Sequence, residues 1–129
     1  MRDLVLLDIV KLIETEEHDR YNVKDLTKKI LKLGKWTLPI AVEYSSFSIM
    51  DGHHRFNAGK SIGLKRIPCY LLDYSSSGVS LKSWRADWDI KVSDVFKLIE
   101  SGKKFPKKTT RHLFDPPLSE VSIPLALLF

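Results

Sequence analysis

The residues best suited to chemistry in this 129-residue chain are five consecutive ones, Asp51-Gly52-His53-His54-Arg55, here called the glycine turn. Their position after an apolar run predicts a strand, a tight turn that glycine permits, and a helix start. The first amides of a helix lack internal partners and, with the helix dipole, attract anions, while arginine can fork onto phosphate oxygens. Two adjacent histidines on a helix point in different directions, so one can face a ligand while the other supports the turn. The pattern favours a phosphate site over its plain alternative, an Asp-Gly turn with surface histidines.

A second group, the acidic segment (residues 14–19), contains four acids and one histidine in six positions. Acidic side chains stabilise the start of a helix, so the segment can be explained as a capping region. A carboxylate here can also serve as a general base that takes a proton from a substrate hydroxyl. The residue types alone leave both interpretations open.

Two further groups could contact an anionic substrate. The basic segment (residues 106–112) combines lysine and arginine charges and threonine hydroxyls, which suit phosphate, with a histidine that can contact substrate, although a solvated basic loop explains its charges equally well. Residues 83–85 place a tryptophan between serine and arginine. A tryptophan can form the wall of a small pocket, although it is as often part of a core. The chain contains no P-loop, no protein-kinase signature and no Cys/His cluster of the kind that binds zinc.

The elements that must position these groups alternate between strand and helix. Residues 3–13 are expected to contain an opening strand and its exit, and further strands are predicted at residues 39–44, 47–50, 66–74 and 79–85. The predicted helices are 22–33 with Asn22 as N-cap, 53–62, and a short helix capped by Ser93 and ended by Gly102. Residues 75–78 are expected to form a turn, and residues 105–117 a loop. Because two strands form a hairpin, the order predicts one α+β domain over residues 1–129 with a mixed sheet and flanking helices.

Composition narrows the class of protein. The net charge of +5 permits anionic metabolites or nucleic acid, and the single cysteine, Cys69, lies in an apolar strand that predicts a buried, structural thiol. No apolar run reaches the length of a membrane span and no signal peptide is visible, so the expected location is the cytoplasm. The absence of glutamine and the presence of only two asparagines suggest a thermophilic source. The apolar tail (residues 121–129) could be an edge strand, a cover for the core or a dimer interface.

Four stretches together resemble the ParB/sulfiredoxin superfamily. They are Leu38-Pro39-Ile40-Ala41-Val42, Ile49-Met50 with the glycine turn, Leu64-Lys65-Arg66-Ile67-Pro68, and Leu72-Asp73-Tyr74. Within that superfamily the Asp-Gly-His-His-Arg form is similar to the free-serine kinases of archaea. The resemblance implies a kinase that phosphorylates free L-serine to O-phosphoserine, with ADP or ATP as donor and Mg²⁺ as helper.

The resemblance also implies roles for single residues. Glu16 would be the catalytic base, with Glu17 as the alternative because the register is uncertain by one residue. Asp51 would lie at the reacting centre, near Mg²⁺ or the transferred phosphoryl group. The donor phosphates would be held by the amides of the turn and by neighbouring side chains, from Gly52, His53, His54 and Arg55.

On the substrate side, the basic segment resembles the family's Lys-Ser/Thr-Thr-Arg-His motif. Trp84 and His112 would line the serine pocket, and Lys108, Thr110 and Arg111 would bind phosphate or the serine carboxylate. The family's kinases are usually longer, with an extra helical segment where this chain has only about two dozen residues between its Trp and Lys-Thr-Thr-Arg-His motifs. A homodimer formed through the apolar tail could supply the missing walls.

The superfamily also offers two other functions. A ParB-type regulator would bind nucleotide or DNA, but the sequence lacks a helix-turn-helix pattern after the core and its motif is not the Gly-Glu-Arg-Arg form, so DNA is not the expected partner. A sulfiredoxin-like reductase would need a reactive cysteine near the glycine turn, whereas Cys69 lies in a strand predicted to be buried. The sequence therefore favours the kinase.

Overall fold

The computed structural model describes residues 2–75 and 78–129, so two serines of the predicted 75–78 turn lie outside the described residues. The strands are β1 Asp3–Asp8, β2 Lys35–Trp36, β3 Ile40–Glu43, β4 Ile49–Asp51, β5 Arg66–Leu72, β6 Val79–Ser83, β7 Thr110–Phe114 and β8 Ile123–Pro124. The helices are α1 Arg20–Leu33, α2 His53–Ile62 and α3 Val92–Ser101, with short 3₁₀ turns at Ile9–Lys11 and Leu125–Leu127.

A mixed four-stranded sheet forms the centre, in the order β1-β5-β3-β4. Strand β5 is antiparallel to β1 and parallel to β3, and β3 is antiparallel to β4. The sheet and the helices enclose the main apolar core, which includes Trp36, Ile40, Val42, Ile49, Phe56 and Ile67. The α+β class with a mixed sheet and flanking helices, predicted from the sequence, is confirmed.

Two helix starts differ from prediction. Helix α1 begins at Arg20, because the carboxylate of Asp19 accepts hydrogen bonds from the amides of Tyr21 and Asn22 and so caps the helix in place of Asn22. Helix α3 begins before Ser93, since the carboxylate of Asp94 accepts a hydrogen bond from the Lys91 amide at 2.8 Å. In both helices the residue predicted as cap lies inside the first turn.

The predicted loop at residues 105–117 is wrong over its middle part, where β7 pairs antiparallel with β6 in register from Val79↔Phe114 to Ser83↔Thr110. The predicted strand at residues 79–85 correspondingly ends at Ser83. The sequence did not predict β7, because the polar and cationic residues at its start leave only two apolar residues, Leu113 and Phe114, at its end. Close to this hairpin a separate small core forms from Ile90, Val95 and Phe105.

The ends of the chain pack on the body. The predicted opening strand and its exit are present as β1 and the 3₁₀ turn Ile9–Lys11 that follows it, where the Ile9 amide donates to the Lys65 carbonyl. In the tail, Leu125 and Leu128 lie in the main core, and β8 pairs with β2. The edge-strand and core-cover interpretations of the tail are both confirmed, and the dimer interface stays a prediction.

Two smaller predictions also have an outcome. Cys69 is completely buried, and burial raises the pKa of its thiol to about 12, so the prediction of a structural thiol is confirmed. Within residues 2–75 and 78–129, no helix has the length and apolar character needed to cross a membrane.

Candidate active site

The glycine turn contains the last residue of β4, Asp51, and the first residues of α2, and Gly52 connects the two elements. Gly52 adopts φ +108°, which side chains rarely allow, and a Cβ at this position would lie 2.8 Å from Arg55 Nη2 and 3.1 Å from Ile40 Cγ1. Glycine is therefore required both by the backbone and by the lack of space. Among the described residues no side chain caps the amides at the start of α2, which leaves them available to an anion.

Both histidines of the glycine turn reach across to the acidic segment. His53 Nε2 accepts a hydrogen bond from the Thr15 amide, and His54 Nε2 accepts one from the Asp19 amide, each at 3.1 Å. Burial lowers the pKa of His53 to about 3, and burial together with the neighbouring His18 lowers the pKa of His54. Both imidazoles are thus neutral acceptors that hold the segment containing Glu16 next to the turn.

The Glu16 side chain points from the acidic segment to the start of β7. Its Oε1 accepts hydrogen bonds from the amides of Thr109 at 2.6 Å and Thr110 at 2.8 Å. Burial raises the pKa of Glu16, the negative charge of Asp51 adds to that effect, and the two amide bonds oppose it. Glu17 is exposed to solvent and lines the same cleft, so the choice between the two carboxylates stays a prediction.

Asp51 and Arg55 form an ion pair over the glycine turn, with Oδ2 and Nη2 3.3 Å apart. The Asp51 side chain is 54% exposed and open to ligands, whereas Arg55 is largely covered. Arg55 Nε is buried and has no hydrogen-bond partner among the described residues. An unpaired cationic donor next to free helix amides is a favourable surrounding for phosphate oxygens.

Another part of the site is built by β6, β7 and the residues that flank them. The Arg111 guanidinium lies 4.5 Å from the centre of the Trp84 ring, and Trp84 itself is 57% exposed. His112 Nε2 is 2.8 Å from the hydroxyl of Tyr74, and burial lowers the pKa of His112 to about 4. Lys108 is exposed and adopts φ +53°.

These groups surround one cleft of about 380 Å³. All of the site residues predicted from the sequence line it: Glu16, Asp51, Gly52, His53, His54, Arg55, Trp84, Lys108, Thr110, Arg111 and His112. Sequence reasoning did not identify Tyr74 and Thr15 as supports of the site, because only the fold brings them to His112 and His53. No local pattern could have revealed either contact.

A larger groove of about 620 Å³ lies between α1 and α2. Its cationic lining consists of Arg20, Lys24, Lys28 and Lys60. The groove adjoins the glycine turn, because His18 on its wall makes an edge-on contact with His54, with ring centres 6.5 Å apart. A ligand with an anionic end and a larger body could therefore occupy both spaces.

The described residues offer few side chains that could bind a metal ion. In the part of the chain that the structure describes, no three His, Cys, Asp or Glu side chains come together as metal ligands. Asp51 offers one exposed carboxylate beside the proposed phosphate position, and Mg²⁺ is commonly bound by one or two carboxylates together with substrate phosphates. Among the described residues, Asp51 therefore fits an Mg²⁺ ion that takes its other ligands from water or from a bound phosphate group.

Comparison with known proteins gives relatives in archaea. An ATP-dependent L-serine kinase of Staphylothermus marinus is 36% identical over 78% of this chain and 40% of its own length. A ParB-like protein of Sulfolobus acidocaldarius is 41% identical over 43% of this chain and 28% of its own length. An ADP-dependent L-serine kinase of Thermococcus kodakarensis is 34% identical over 45% and 23%. The matched part spans less than half of each relative, and no protein-family model matches the chain.

Solved structures show the same fold. A free serine kinase in complex with AMP superimposes with a TM-score of 0.88 and 15% identity, covering 98% of this chain and 94% of that one. The motif resemblance and the relatives agree with this similarity of fold. The chain is therefore similar in sequence to archaeal L-serine kinases and to a ParB-like protein, and it shares its fold with a free serine kinase.

Proposed function

We propose that this chain is a phosphotransferase that moves a phosphoryl group from ATP or ADP to the hydroxyl of free L-serine. The observation that carries the proposal is the arrangement of the cleft, in which a carboxylate with raised pKa lies opposite an uncapped helix start. Phosphoryl transfer depends mainly on positioning and on positive charge around the phosphoryl oxygens. Both requirements are met by the described residues.

The donor half of the reaction belongs to the glycine turn. The amides at the start of α2 and the unpaired Nε of Arg55 are the donors that would hold the terminal phosphates. The nucleoside would extend into the cationic groove between α1 and α2, which adjoins the turn. Asp51 would hold Mg²⁺ together with the donor phosphates, and the ion would supply positive charge to the transferred group.

The acceptor half belongs to Glu16 and the basic segment. Arg111, which rests on the Trp84 ring, would bind the serine carboxylate, and Trp84 would form a wall of the pocket. Glu16 would take the proton of the serine hydroxyl as its oxygen bonds to the terminal phosphorus of the donor. The bond from that phosphorus to its bridging oxygen breaks, so ATP leaves as ADP, or ADP leaves as AMP. Burial brings the pKa of Glu16 closer to neutrality, which favours its action as a base.

The test is an incubation of the protein with L-serine, Mg²⁺ and either ATP or ADP, with O-phosphoserine measured by mass spectrometry. We expect product with at least one donor, and none when L-alanine, which lacks the hydroxyl, replaces L-serine. Glu16→Gln and Asp51→Asn should each remove most of the activity and leave the circular dichroism spectrum unchanged. A protein that yields no phosphorylated product with either donor and a panel of hydroxyl-bearing amino acids would contradict the proposal.

A further inference from the structure

The two oxygens of the Glu16 carboxylate have different surroundings. Oε1 accepts hydrogen bonds from the Thr109 amide at 2.6 Å and the Thr110 amide at 2.8 Å, and the Thr110 hydroxyl lies 3.5 Å away. Oε2 has no hydrogen-bond partner among residues 2–75 and 78–129. A base needs one free oxygen only, so the bonds at Oε1 are not explained by proton transfer.

The amides that Oε1 binds belong to the part of the basic segment that lines the cleft. Lys108, directly before them, adopts φ +53°, a left-handed conformation that costs a residue with a side chain about 1–2 kcal/mol. Such a conformation persists only where surrounding contacts hold it. The hydrogen bonds of Glu16 to the next two residues are contacts of this kind, and hydrogen bonds to a charged acceptor are stronger than neutral ones.

The segment has further contacts at both ends and in its own hairpin. His112 pairs with the Tyr74 hydroxyl, and directly before the segment the backbone of Phe105 is hydrogen-bonded to Thr15 and Glu17. The Trp84 amide donates to the Thr109 carbonyl at 3.1 Å, and the Thr109 hydroxyl donates to the Pro106 carbonyl at 2.6 Å. The acidic segment, by contrast, is fixed to the glycine turn by the two histidines. The Glu16 carboxylate is therefore the side-chain link between the acidic segment and residues 109–110, next to the backbone link at Phe105.

We propose that Glu16 has a second, positioning role: its Oε1 holds residues 108–112 in place through the Thr109 and Thr110 amides, and its Oε2 alone is left for the substrate. The part about Oε2 rests on the proposed function, and the part about Oε1 does not. In Glu16→Gln the side-chain amide oxygen can still accept hydrogen bonds from both backbone amides, but the NH₂ group that replaces Oε2 cannot take a proton from the substrate. Alanine removes both abilities, and aspartate keeps the charge with a side chain one methylene shorter.

The positioning role is measured by residue-resolved amide hydrogen exchange at Thr109 and Thr110, observed by NMR. We expect Glu16→Ala to accelerate exchange at both amides by at least about tenfold, the loss expected for a hydrogen bond to a charged group. Glu16→Gln should leave both amides protected. Glu17→Gln is the matched control, because Glu17 is exposed and its loss should leave exchange at both positions unchanged.

If Glu16→Ala does not fold, Glu16→Asp provides the same comparison and should also accelerate exchange. Unchanged exchange in a folded Glu16→Ala or Glu16→Asp variant would overturn the positioning role, as would loss of protection in Glu16→Gln. Kinetics test the division between the two oxygens: Glu16→Gln should reduce kcat and leave the KM for L-serine near its original value. A Glu16→Gln variant with a strongly raised KM would contradict that division. If the protein has no kinase activity at all, the exchange result still decides the positioning role.

Discussion

Replacing Gly52 with alanine tests the geometry of the glycine turn most sharply. The new Cβ would lie 2.8 Å from Arg55 Nη2, 3.2 Å from Arg55 Nε and 3.1 Å from Ile40 Cγ1. Arg55 is flexible enough to move away, but the movement would break its ion pair with Asp51. Ile40 is completely buried in the core and has little room to move. The substitution should therefore disturb both the packing and the donor half of the cleft.

The size of the effect follows from two contributions. The positive φ of Gly52 costs an alanine about 1–2 kcal/mol, part of which is offset by the lower entropy of the unfolded chain. Contact with Ile40 adds about 1–3 kcal/mol, the usual range for an overpacked core. Gly63 is the matched control, because its φ of +89° carries a similar backbone cost and a Cβ there would meet nothing within 4 Å. We expect Gly52→Ala to be less stable than Gly63→Ala by about 1–3 kcal/mol.

Urea unfolding at neutral pH measures the free energy of unfolding of both variants. A difference in midpoint between variants with the same m-value reports a difference in stability. On heating, the predicted difference corresponds to a melting temperature lower by roughly 4–12 °C for a domain of this size. Gly52→Ala should also weaken nucleotide binding in a titration, whereas Gly63→Ala should not. Equal stability of the two variants would refute the reasoning about the space around Gly52.

Further predictions concern protonation, a surface contact and the buried thiol. His53 has a pKa of about 3 in the folded chain against 6.5 in a model peptide, so the unfolded chain binds a proton at this residue first as the pH falls. The free energy of unfolding should therefore decrease below pH 6.5, by up to about 1.4 kcal/mol per pH unit from this residue. The urea midpoints measured at pH 7 and pH 5 should differ less in His53→Gln than in the unaltered protein. Trp84→Ala removes the ring beneath Arg111, so the KM for L-serine should rise. Trp84→Phe keeps an aromatic ring and should retain part of the affinity. Both variants should unfold close to the original urea midpoint. Cys69 should not react with a thiol reagent in the native protein and should react completely in urea; reaction of the native protein at neutral pH would contradict its burial.

The sequence predicted the parts of the fold that depend on local signals. Helix α2 begins at His53 and ends before Gly63, as the flanking glycines indicate, and the apolar β5 lies inside the sheet. The predicted start of α1 at Asn22 was wrong, because Asp19 and Asn22 are equally good N-cap residues by type. The hydrogen bond from the Asp19 amide to His54, a contact across the fold, is an additional restraint at Asp19 that the sequence does not show.

The candidate site shows the same division between local and distant information. Residue types and a family resemblance predicted which side chains line the cleft, because phosphate chemistry restricts the choice to a few donors and cations. The supports of those side chains were not predictable, since Tyr74 meets His112 and Thr109 meets Glu16 only after the chain has folded. Glu16 and Glu17 both line the cleft, and only Glu16 binds the amides of Thr109 and Thr110, so Glu16 as the base stays a prediction.

The central claim is that this cleft transfers a phosphoryl group to the serine hydroxyl with Glu16 as the base. The most direct measurement is phosphorus NMR of the protein with L-serine, Mg²⁺ and either ATP or ADP, compared with Glu16→Gln under the same conditions. The proposal predicts a phosphate monoester signal of O-phosphoserine that grows in step with loss of the donor, and almost no such signal for Glu16→Gln. Equal rates of phosphoserine formation by the two proteins, or none by the unaltered protein with either donor, would contradict it.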